Sequence, residues 1–124
     1  MGGSYQDLRV WQQAMTLAVE VYGVTERFPK HELYGLTSQI RRAVVSVPSN
    51  IAEGKGHRSD REFLHFLYHA RGSLFELETQ ILLAHKLKYI SEKEVGELQA
   101  LIAGVARSLT GLVNSLGHPS PAAN

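Results

Sequence analysis

The sequence predicts an all-α protein, an antiparallel up-down-up-down four-helix bundle. Four segments repeat apolar residues at spacings that alternate between three and four, which places those residues on one face of an α-helix. Two of the segments begin with a Ser-x-x-Glu capping box, at Ser59–Glu62 and at Ser91–Glu94. The connections between segments are short, and short connections favour antiparallel neighbours. We expect residues 1–117 to form this one domain and residues 118–124 to be a disordered tail.

The first helix is expected to begin at an N-cap, Asp7, and to stop at Pro29. It carries two apolar stripes, and we expect the first of them to line the core. The first stripe consists of Leu8, Trp11, Met15, Ala18, Tyr22 and Thr25, and the second of Val10, Ala14, Leu17, Val21, Val24 and Phe28. A helix in a monomeric bundle needs only one apolar face, so one stripe exceeds what a single bundle requires.

The second helix is expected to run from about Glu32–Tyr34 to Gly54–Gly56, with Pro48 inside it. A proline in a helix interior costs about 3 kcal/mol and leaves one backbone carbonyl without its donor. Pro48 therefore either kinks the helix or splits it. The apolar stripe continues from Ala43 to Ile51, which favours a kink. That stripe consists of Leu33, Leu36, Ile40, Ala43, Val47 and Ile51.

The third and fourth helices follow the two capping boxes. Their stripes are Phe63, Leu67, Ala70, Leu74, Leu77, Ile81 and Ala84 in helix three, and Val95, Leu98, Ile102, Val105, Leu109, Leu112 and Leu116 in helix four. Helix three also carries a second stripe, which Arg71 and Glu78 interrupt and which consists of Leu64, Tyr68, Phe75 and Leu82. The second stripes of helices one and three either widen the core-facing sector or pack against another subunit. We favour the subunit contact and predict a homo-oligomer.

Composition excludes several classes of protein. The chain has no cysteine, and hence no disulfide framework and no thiolate metal site. Its first residues lack the basic and apolar regions of a secretory signal, and no apolar run approaches the about 20 residues that span a bilayer. We therefore expect a cytoplasmic protein with no membrane partner.

A basic cluster extends from the second helix into the connection that follows it. Its members are Arg41, Arg42, Lys55, His57, Arg58 and Arg61, in a chain whose net charge is only +1. The cluster is either a solvated helix end with ordinary ion pairs or a patch that contacts phosphates. A symmetric oligomer repeats such a patch in every subunit, so we predict backbone-directed, salt-sensitive contact with RNA or DNA. We expect no exposed aromatic platform beside the cluster for stacking on bases.

Polar residues flank the core-facing stripes of helices two and three. We expect Asn50, Glu53, Glu76 and Glu78 to be partly buried and to pair with arginines such as Arg71, because an unpaired buried carboxylate costs roughly several kcal/mol. The predicted role is an interhelical polar network that sets the helix register. Within it, Asn50 or Ser49 is expected to help the carbonyl that Pro48 leaves unbonded.

Catalytic and metal-binding patterns are nearly absent from the sequence. It contains no nucleophile motif and no glycine-rich phosphate loop. A di-metal site in a four-helix bundle needs two Glu-x-x-His motifs, and only Glu62-x-x-His65 occurs, with His69 one turn further on and Glu53 as a further candidate ligand. We predict no enzymatic activity, no cofactor and no metal, and keep a di-metal oxidase as a remote alternative.

Several different sequence motifs are distributed along nearly the whole chain, from residue 5 to residue 117. They are Leu8-x-Val10-Trp11-Gln12-x-Ala14-Met15, Phe28-Pro29, the runs 34–43 and 46–54, and Gly72-Ser73-Leu74-x-Glu76-Leu77-Glu78-Thr79-Gln80. Through them the chain resembles the bacterial four-helix bundle family that includes proteins encoded in intervening sequences of large-subunit ribosomal RNA genes. It is also similar to the accessory variability proteins of diversity-generating retroelements. The resemblance implies a non-enzymatic protomer in a pentameric ring and, in the retroelement branch, work with nucleic acid and a reverse transcriptase, with Arg41 and Arg42 as candidate contacts.

Two functions of different classes remain open on these grounds. The first is a non-catalytic homo-oligomeric scaffold that engages nucleic acid, or an enzyme acting on it, through the basic surface. The second is a protein-interaction module that docks a partner on its outer apolar stripe without binding nucleic acid.

Overall fold

A computed structural model describes residues 3–117. Its elements, in chain order, are a 3-10 turn Tyr5–Asp7, α1 (Arg9–Thr25), a 3-10 turn Lys30–Glu32, α2 (Leu36–Lys55), α3 (Asp60–Lys86) and α4 (Glu92–Gly117). This part of the chain contains no strand, and the predicted all-α class is confirmed. Helices α1 and α3 each pack against both α2 and α4, as in a four-helix bundle. The up-down-up-down direction stays a prediction, and the expected tail 118–124 lies outside the described residues.

The second apolar stripe of α1 faces the core, whereas we expected the first stripe to do so. Val10, Ala14, Leu17 and Val21 are buried, whereas Met15 is exposed. Both stripes have the same helical period and both are apolar, so the sequence pattern alone does not distinguish them. Packing against α2 and α4 decides between them, and it leaves most of the expected stripe partly or fully exposed.

The start of α1 also differs from the prediction. Asp7 lies in the 3-10 turn, and the N-cap position of α1 is Leu8, whose side chain makes no capping bond. The hydroxyl of Ser4 instead accepts a hydrogen bond from the backbone N–H of Gln6, 3.1 Å away, and so caps the 3-10 turn. The turn ends the extended N-terminal segment before the helix begins.

Helix α2 begins later than expected and runs without interruption through Pro48. Leu36 is its first residue, and the carboxylate of Glu32 accepts a hydrogen bond from the Leu36 N–H at 3.1 Å. Leu33, expected in the core stripe, precedes the helix and is exposed. Pro48 is buried within the helix, so it does not split α2, and a kink there stays a prediction.

The serine of each predicted capping box caps its helix. The hydroxyl of Ser59 accepts from the N–H of Glu62, at 3.1 Å. The second box is reciprocal, since Ser91 accepts from the Glu94 N–H and its own N–H donates to the Glu94 carboxylate, both at 3.1 Å. The predicted stripe of α3 is buried in full, and that of α4 is buried from Val95 to Leu109.

One described helix, α4, has the length and apolar composition of a membrane span. Its most apolar stretch has a mean hydropathy of 1.2. The buried residues of α4, including Leu98, Val105 and Leu109, belong to the core of the bundle. A core helix of a bundle passes the same test of length and composition, so the test carries little weight.

Candidate interaction surfaces

Arg41 is anchored to the C-terminal end of α1. Its Nε donates to Thr25 Oγ1 at 2.9 Å, and its Nη2 donates to the Tyr22 carbonyl at 3.3 Å and to the Glu26 carboxylate at 3.1 Å. The guanidinium also lies over the Tyr22 ring, 4.5 Å from its centroid. These contacts tie α2 to α1 and use most of the donors of Arg41, which leaves its neighbour Arg42 as the exposed arginine of the pair.

The six basic residues of the predicted cluster form two separate groups. Arg41 and Lys55 are 14 residues apart on one helix, which corresponds to about 21 Å at 1.5 Å per residue. Arg42 stays with Arg41 near the start of α2. His57, Arg58 and Arg61 lie with Lys55 around the connection between α2 and α3. The structure therefore does not bring the predicted cluster into one patch within a protomer.

The group at the α2–α3 connection carries balanced formal charge. His57, Arg58 and Arg61 are exposed and Lys55 is half-buried. The three cations of this stretch, Lys55, Arg58 and Arg61, are matched by three anions, Glu53, Asp60 and Glu62. The Nδ1 atom of His57 lies 3.5 Å from the Glu62 carboxylate. The formal charge of this surface is therefore close to zero.

A row of aromatic rings, missed at the sequence level, continues from this connection along α3. The ring of His57 stacks on Phe66, with centroids 4.9 Å apart. His65 contacts Phe66 edge-on at 5.5 Å and His69 at 4.6 Å. Further along, Arg71 lies 5.1 Å from the ring centroid of the exposed Tyr68. Sequence reasoning missed the row because the first stacking pair joins two sides of a helix connection.

The interhelical polar contact in the structure is built from serines and Asn50. The hydroxyls of Ser46 on α2 and Ser73 on α3 lie 2.8 Å apart. The Asn50 amide donates to the Ser46 hydroxyl at 2.9 Å and to the Ser46 carbonyl at 2.8 Å. The carbonyl deprived of its donor by Pro48 is that of Val44, four residues earlier, so the Asn50 amide serves a different carbonyl from the expected one.

The other four residues of the predicted network lie outside this contact. Glu53 and Glu76 are exposed, and Glu78 and Arg71 are half-buried. Glu76 accepts a hydrogen bond from Gln80 of its own helix at 3.3 Å. Within residues 3–117 the ion pairs do not include any of the four. Of the three carboxylates, Glu78 is thus half-buried as expected, whereas Glu53 and Glu76 are exposed, because side chains at the edge of a helix can still reach solvent.

Glu32 joins the segment before α2 to the connection between α3 and α4. Its carboxylate accepts the Leu36 N–H and, at 2.9 Å, the hydroxyl of Tyr89. The Leu36 N–H, and next the Tyr89 hydroxyl, lower the pKa of Glu32 by stabilising its charged form. The same bond to Glu32 raises the pKa of Tyr89. At the start of α4, the Ser91 N–H lowers the pKa of Glu94, which also pairs with Arg27, two residues after the end of α1.

Two different apolar surfaces are exposed on the protomer. The first, the α1–α2 face, consists of Met15, Tyr22, Leu33, Tyr34 and Val45. Tyr34 is 94% exposed. Two shallow grooves of about 500 and 340 Å³ lie along this face and share Val45 in their walls. The face is therefore a continuous seam along one side of the bundle.

The second surface, the α3 stripe, consists of Tyr68, Phe75 and Leu82. These residues are spaced by seven, so they lie on one line along the outside of α3. Phe75 is 58% exposed. The stripe is the predicted second stripe of helix three, with Leu64 at its start half-buried.

Among the described residues, no three His, Asp or Glu side chains converge in a way that could hold a metal ion. Glu62, the carboxylate of the single Glu-x-x-His motif, takes part in the cap at Ser59 and lies near His57. The ligand set of a di-metal oxidase is therefore not assembled in this part of the protomer.

The fold and these surfaces define a class: a four-helix bundle protomer with two exposed apolar faces and a charge-balanced polar end. Comparison with known proteins gives the family. A family model described as "23S rRNA-intervening sequence protein" matches residues 6–111. The chain belongs to this 23S rRNA-intervening sequence protein family, which agrees with the resemblance seen in its motifs.

A solved structure shows the same fold. It is the crystal structure of a protein of unknown function from the S23 ribosomal protein family of Bacteroides thetaiotaomicron VPI-5482. It superposes with a TM-score of 0.79 at 19% identity, over 85% of this chain and 95% of that one. At this identity the likeness concerns the fold alone. None of the curated proteins matches this chain.

Proposed function

We propose that this protein is a non-catalytic scaffold that assembles with copies of itself into a closed ring. The observation that carries the proposal is the presence of two unlike exposed apolar surfaces, the α1–α2 face and the α3 stripe. A two-fold dimer buries the same patch of both subunits, so it would cover only one of these surfaces. Contact between the α1–α2 face of one subunit and the α3 stripe of the next covers both, and such contacts form rings when the rotation closes.

The resemblance to known ring-forming relatives supports a pentamer. Nothing in the fold or in the family description points to catalysis, and the family has no assigned activity. Tyr34 on the α1–α2 face and Phe75 on the α3 stripe are the most exposed members of these two surfaces. We assign them as the centres of the two complementary surfaces.

The test of assembly uses one charged substitution on each surface. Tyr34→Glu and Phe75→Glu are each expected to reduce the ring to smaller species in size-exclusion chromatography with light scattering. Gln99→Glu adds the same charge at an exposed position of α4 and should leave the ring intact. A monomeric wild-type protein at micromolar concentration would overturn the proposal.

Mixing the two variants tests which surfaces meet. Tyr34→Glu keeps an intact α3 stripe and Phe75→Glu keeps an intact α1–α2 face, so a head-to-tail contact allows one of each to pair and then stop. We expect a 1:1 dimer from the mixture and none from either variant alone. If only one substitution disrupts assembly and mixing restores nothing, the contact joins identical faces instead.

We further propose that the ring contacts nucleic acid through the α2–α3 connection. Each subunit contributes Lys55, Arg58 and Arg61, and a ring repeats these three cations in every copy. Because Glu53, Asp60 and Glu62 balance their charge, the proposed contact depends on direct pairing of these side chains with phosphates and not on a net positive field. The family description, which concerns intervening sequences of 23S rRNA, supports RNA as the first nucleic acid to test. Arg42 is the second exposed candidate, whereas Arg41 is occupied by its contacts with α1.

Fluorescence anisotropy with a mixed single-stranded RNA and with a DNA duplex tests this contact. Binding should weaken steeply as salt rises, because phosphate contacts release counterions. The triple variant Lys55→Gln, Arg58→Gln, Arg61→Gln should lose most of the binding, while the control Lys30→Gln, Lys93→Gln, Arg107→Gln removes equal charge elsewhere and should keep it. A wild-type ring that binds neither probe at low salt overturns the nucleic-acid role and favours a protein partner.

A further inference from the structure

We infer that His65 and His69 form a chelating site for a divalent transition-metal ion, with Cu²⁺ bound most tightly. The two residues are one turn apart on the exposed side of α3, and their rings are in contact with centroids 4.6 Å apart. Among the described residues, His31, His57 and His85 lie near carboxylates, whereas none of the ion pairs there includes His65 or His69. Their ring nitrogens make no hydrogen bond within residues 3–117 and so remain free to bind a ligand.

The separation of the rings suits one shared ion. An imidazole nitrogen binds a metal at about 2.0–2.1 Å, which places the ring centroid about 3.2 Å from the ion. Two such rings meeting at an angle of about 90–110° at the ion have centroids about 4.5–5.2 Å apart. The observed 4.6 Å falls in this interval. Small rotations of the two side chains are therefore sufficient to direct both nitrogens at one ion.

The surroundings leave room for an ion with further ligands. His65 and His69 line a surface cavity of about 370 Å³ together with Tyr68, Gly72, Ser73 and Glu76. The space beside Gly72 is open, with nothing within 4 Å of a built Cβ. Glu76, which also lines the cavity, adds a negative charge beside the two imidazoles.

The donor set selects the metal. Imidazole nitrogens suit Cu²⁺, Ni²⁺ and Zn²⁺, whereas Mg²⁺ and Ca²⁺ require oxygen ligands. For a given nitrogen site, affinity rises to Cu²⁺ and then falls at Zn²⁺. Since the described residues supply two close ligands, the bound ion keeps positions open for water or an external ligand. Because Tyr68 of the α3 stripe lines the same cavity, the Phe75→Glu variant, which we expect not to assemble, should also bind one Cu²⁺ per chain.

Calorimetric titration of the chelator-treated full-length protein with CuCl₂, NiCl₂ and MgCl₂ tests the site. We expect one Cu²⁺ per chain, weaker binding of Ni²⁺ and no heat from Mg²⁺. His65→Ala and His69→Ala should each weaken Cu²⁺ binding at least about tenfold. His85→Ala, at the other end of the same helix, is the matched control and should bind as the wild type does.

Two further measurements check that the variants are folded and that copper binds to imidazole. Circular dichroism should show that the variants are folded, because alanine at exposed helix positions favours the helix. Copper binding should also weaken as the pH is lowered from about 7.5 to about 5.5, since protons compete for the imidazoles. Equal Cu²⁺ affinity in the wild type and in folded His65→Ala and His69→Ala, or no binding at all, would overturn the inference.

Discussion

Gly54 lies where the end of α2 approaches the start of α3 most closely. It is buried, and a Cβ added there would lie 2.7 Å from the Phe66 Cβ and 2.9 Å from the Phe63 Cδ1. The Phe66 Cβ is attached directly to the backbone, so it does not move without moving α3. We therefore predict that Gly54→Ala forces the two helices apart at the α2–α3 connection.

The size of the effect follows from two opposing terms. Overpacking of a close contact costs about 1–3 kcal/mol, and two separations below 3 Å place this site near the upper end. Alanine in place of glycine in a helix returns about 1 kcal/mol. The net destabilisation is therefore about 1–2 kcal/mol, which corresponds to a fall of roughly 4–8 °C in Tm for a domain of this size.

Urea unfolding followed by circular dichroism measures this difference. The matched control is Gly96→Ala, an exposed helix position with nothing within 4 Å of a built Cβ, where the same substitution should stabilise by up to about 1 kcal/mol. Both variants and the wild type must be compared at one protein concentration, because assembly makes stability concentration-dependent. If Gly54→Ala is as stable as Gly96→Ala, the close packing at this connection is incorrect.

Three further predictions concern single side chains. Ser59→Ala removes the N-cap of α3 and should cost about 1 kcal/mol in urea unfolding, and a loss near zero would mean that the cap is dispensable. Arg41→Gln should lower the free energy of unfolding by about 1–2 kcal/mol, because its bonds to Thr25 and Glu26 are lost. Arg42→Gln should change that free energy by no more than about 0.5 kcal/mol. Equal effects of the two substitutions would contradict the anchoring of Arg41. The lowered pKa of Glu32 means that its stabilisation is present above its unfolded pKa of about 4.3 and is lost as the pH falls through the folded value. The difference in urea midpoint between wild type and Glu32→Gln should therefore shrink on acidification, and a difference that persists at about pH 3 would show that the charge of Glu32 is not its source.

Helices three and four could be predicted well because their local signals agree. Each has a capping box at its start, and the periodic stripe expected to face the core is largely buried. The first helix lacks such agreement. Its two stripes satisfy the same period, and its start is shaped by a 3-10 turn rather than by an acidic cap. The choice between Leu17 and Met15 as a core residue thus depends on helices that are distant in sequence.

The candidate surfaces could be predicted less well, for geometric reasons. Arg41 and Arg61 are close in sequence, but a continuous helix separates Arg41 from the connection that holds Arg61. The polar contact between Ser46 and Ser73 carries no charge, and no local pattern marks two serines on different helices as partners. The α3 stripe is the exception, since its spacing of seven is visible in the sequence and its exposure was expected as a subunit contact.

The sequence by itself determined the all-α class, the starts of α3 and α4, most of the buried faces of these two helices and the absence of thiol chemistry. Each of these depends on residues within a few turns of one another or on composition. Only the tertiary structure decided which stripe of α1 is buried, that Arg41 is tied to α1, and that the basic residues occupy two places. The reason is physical: these features are contacts between helices, and their energies depend on distances that no local period specifies.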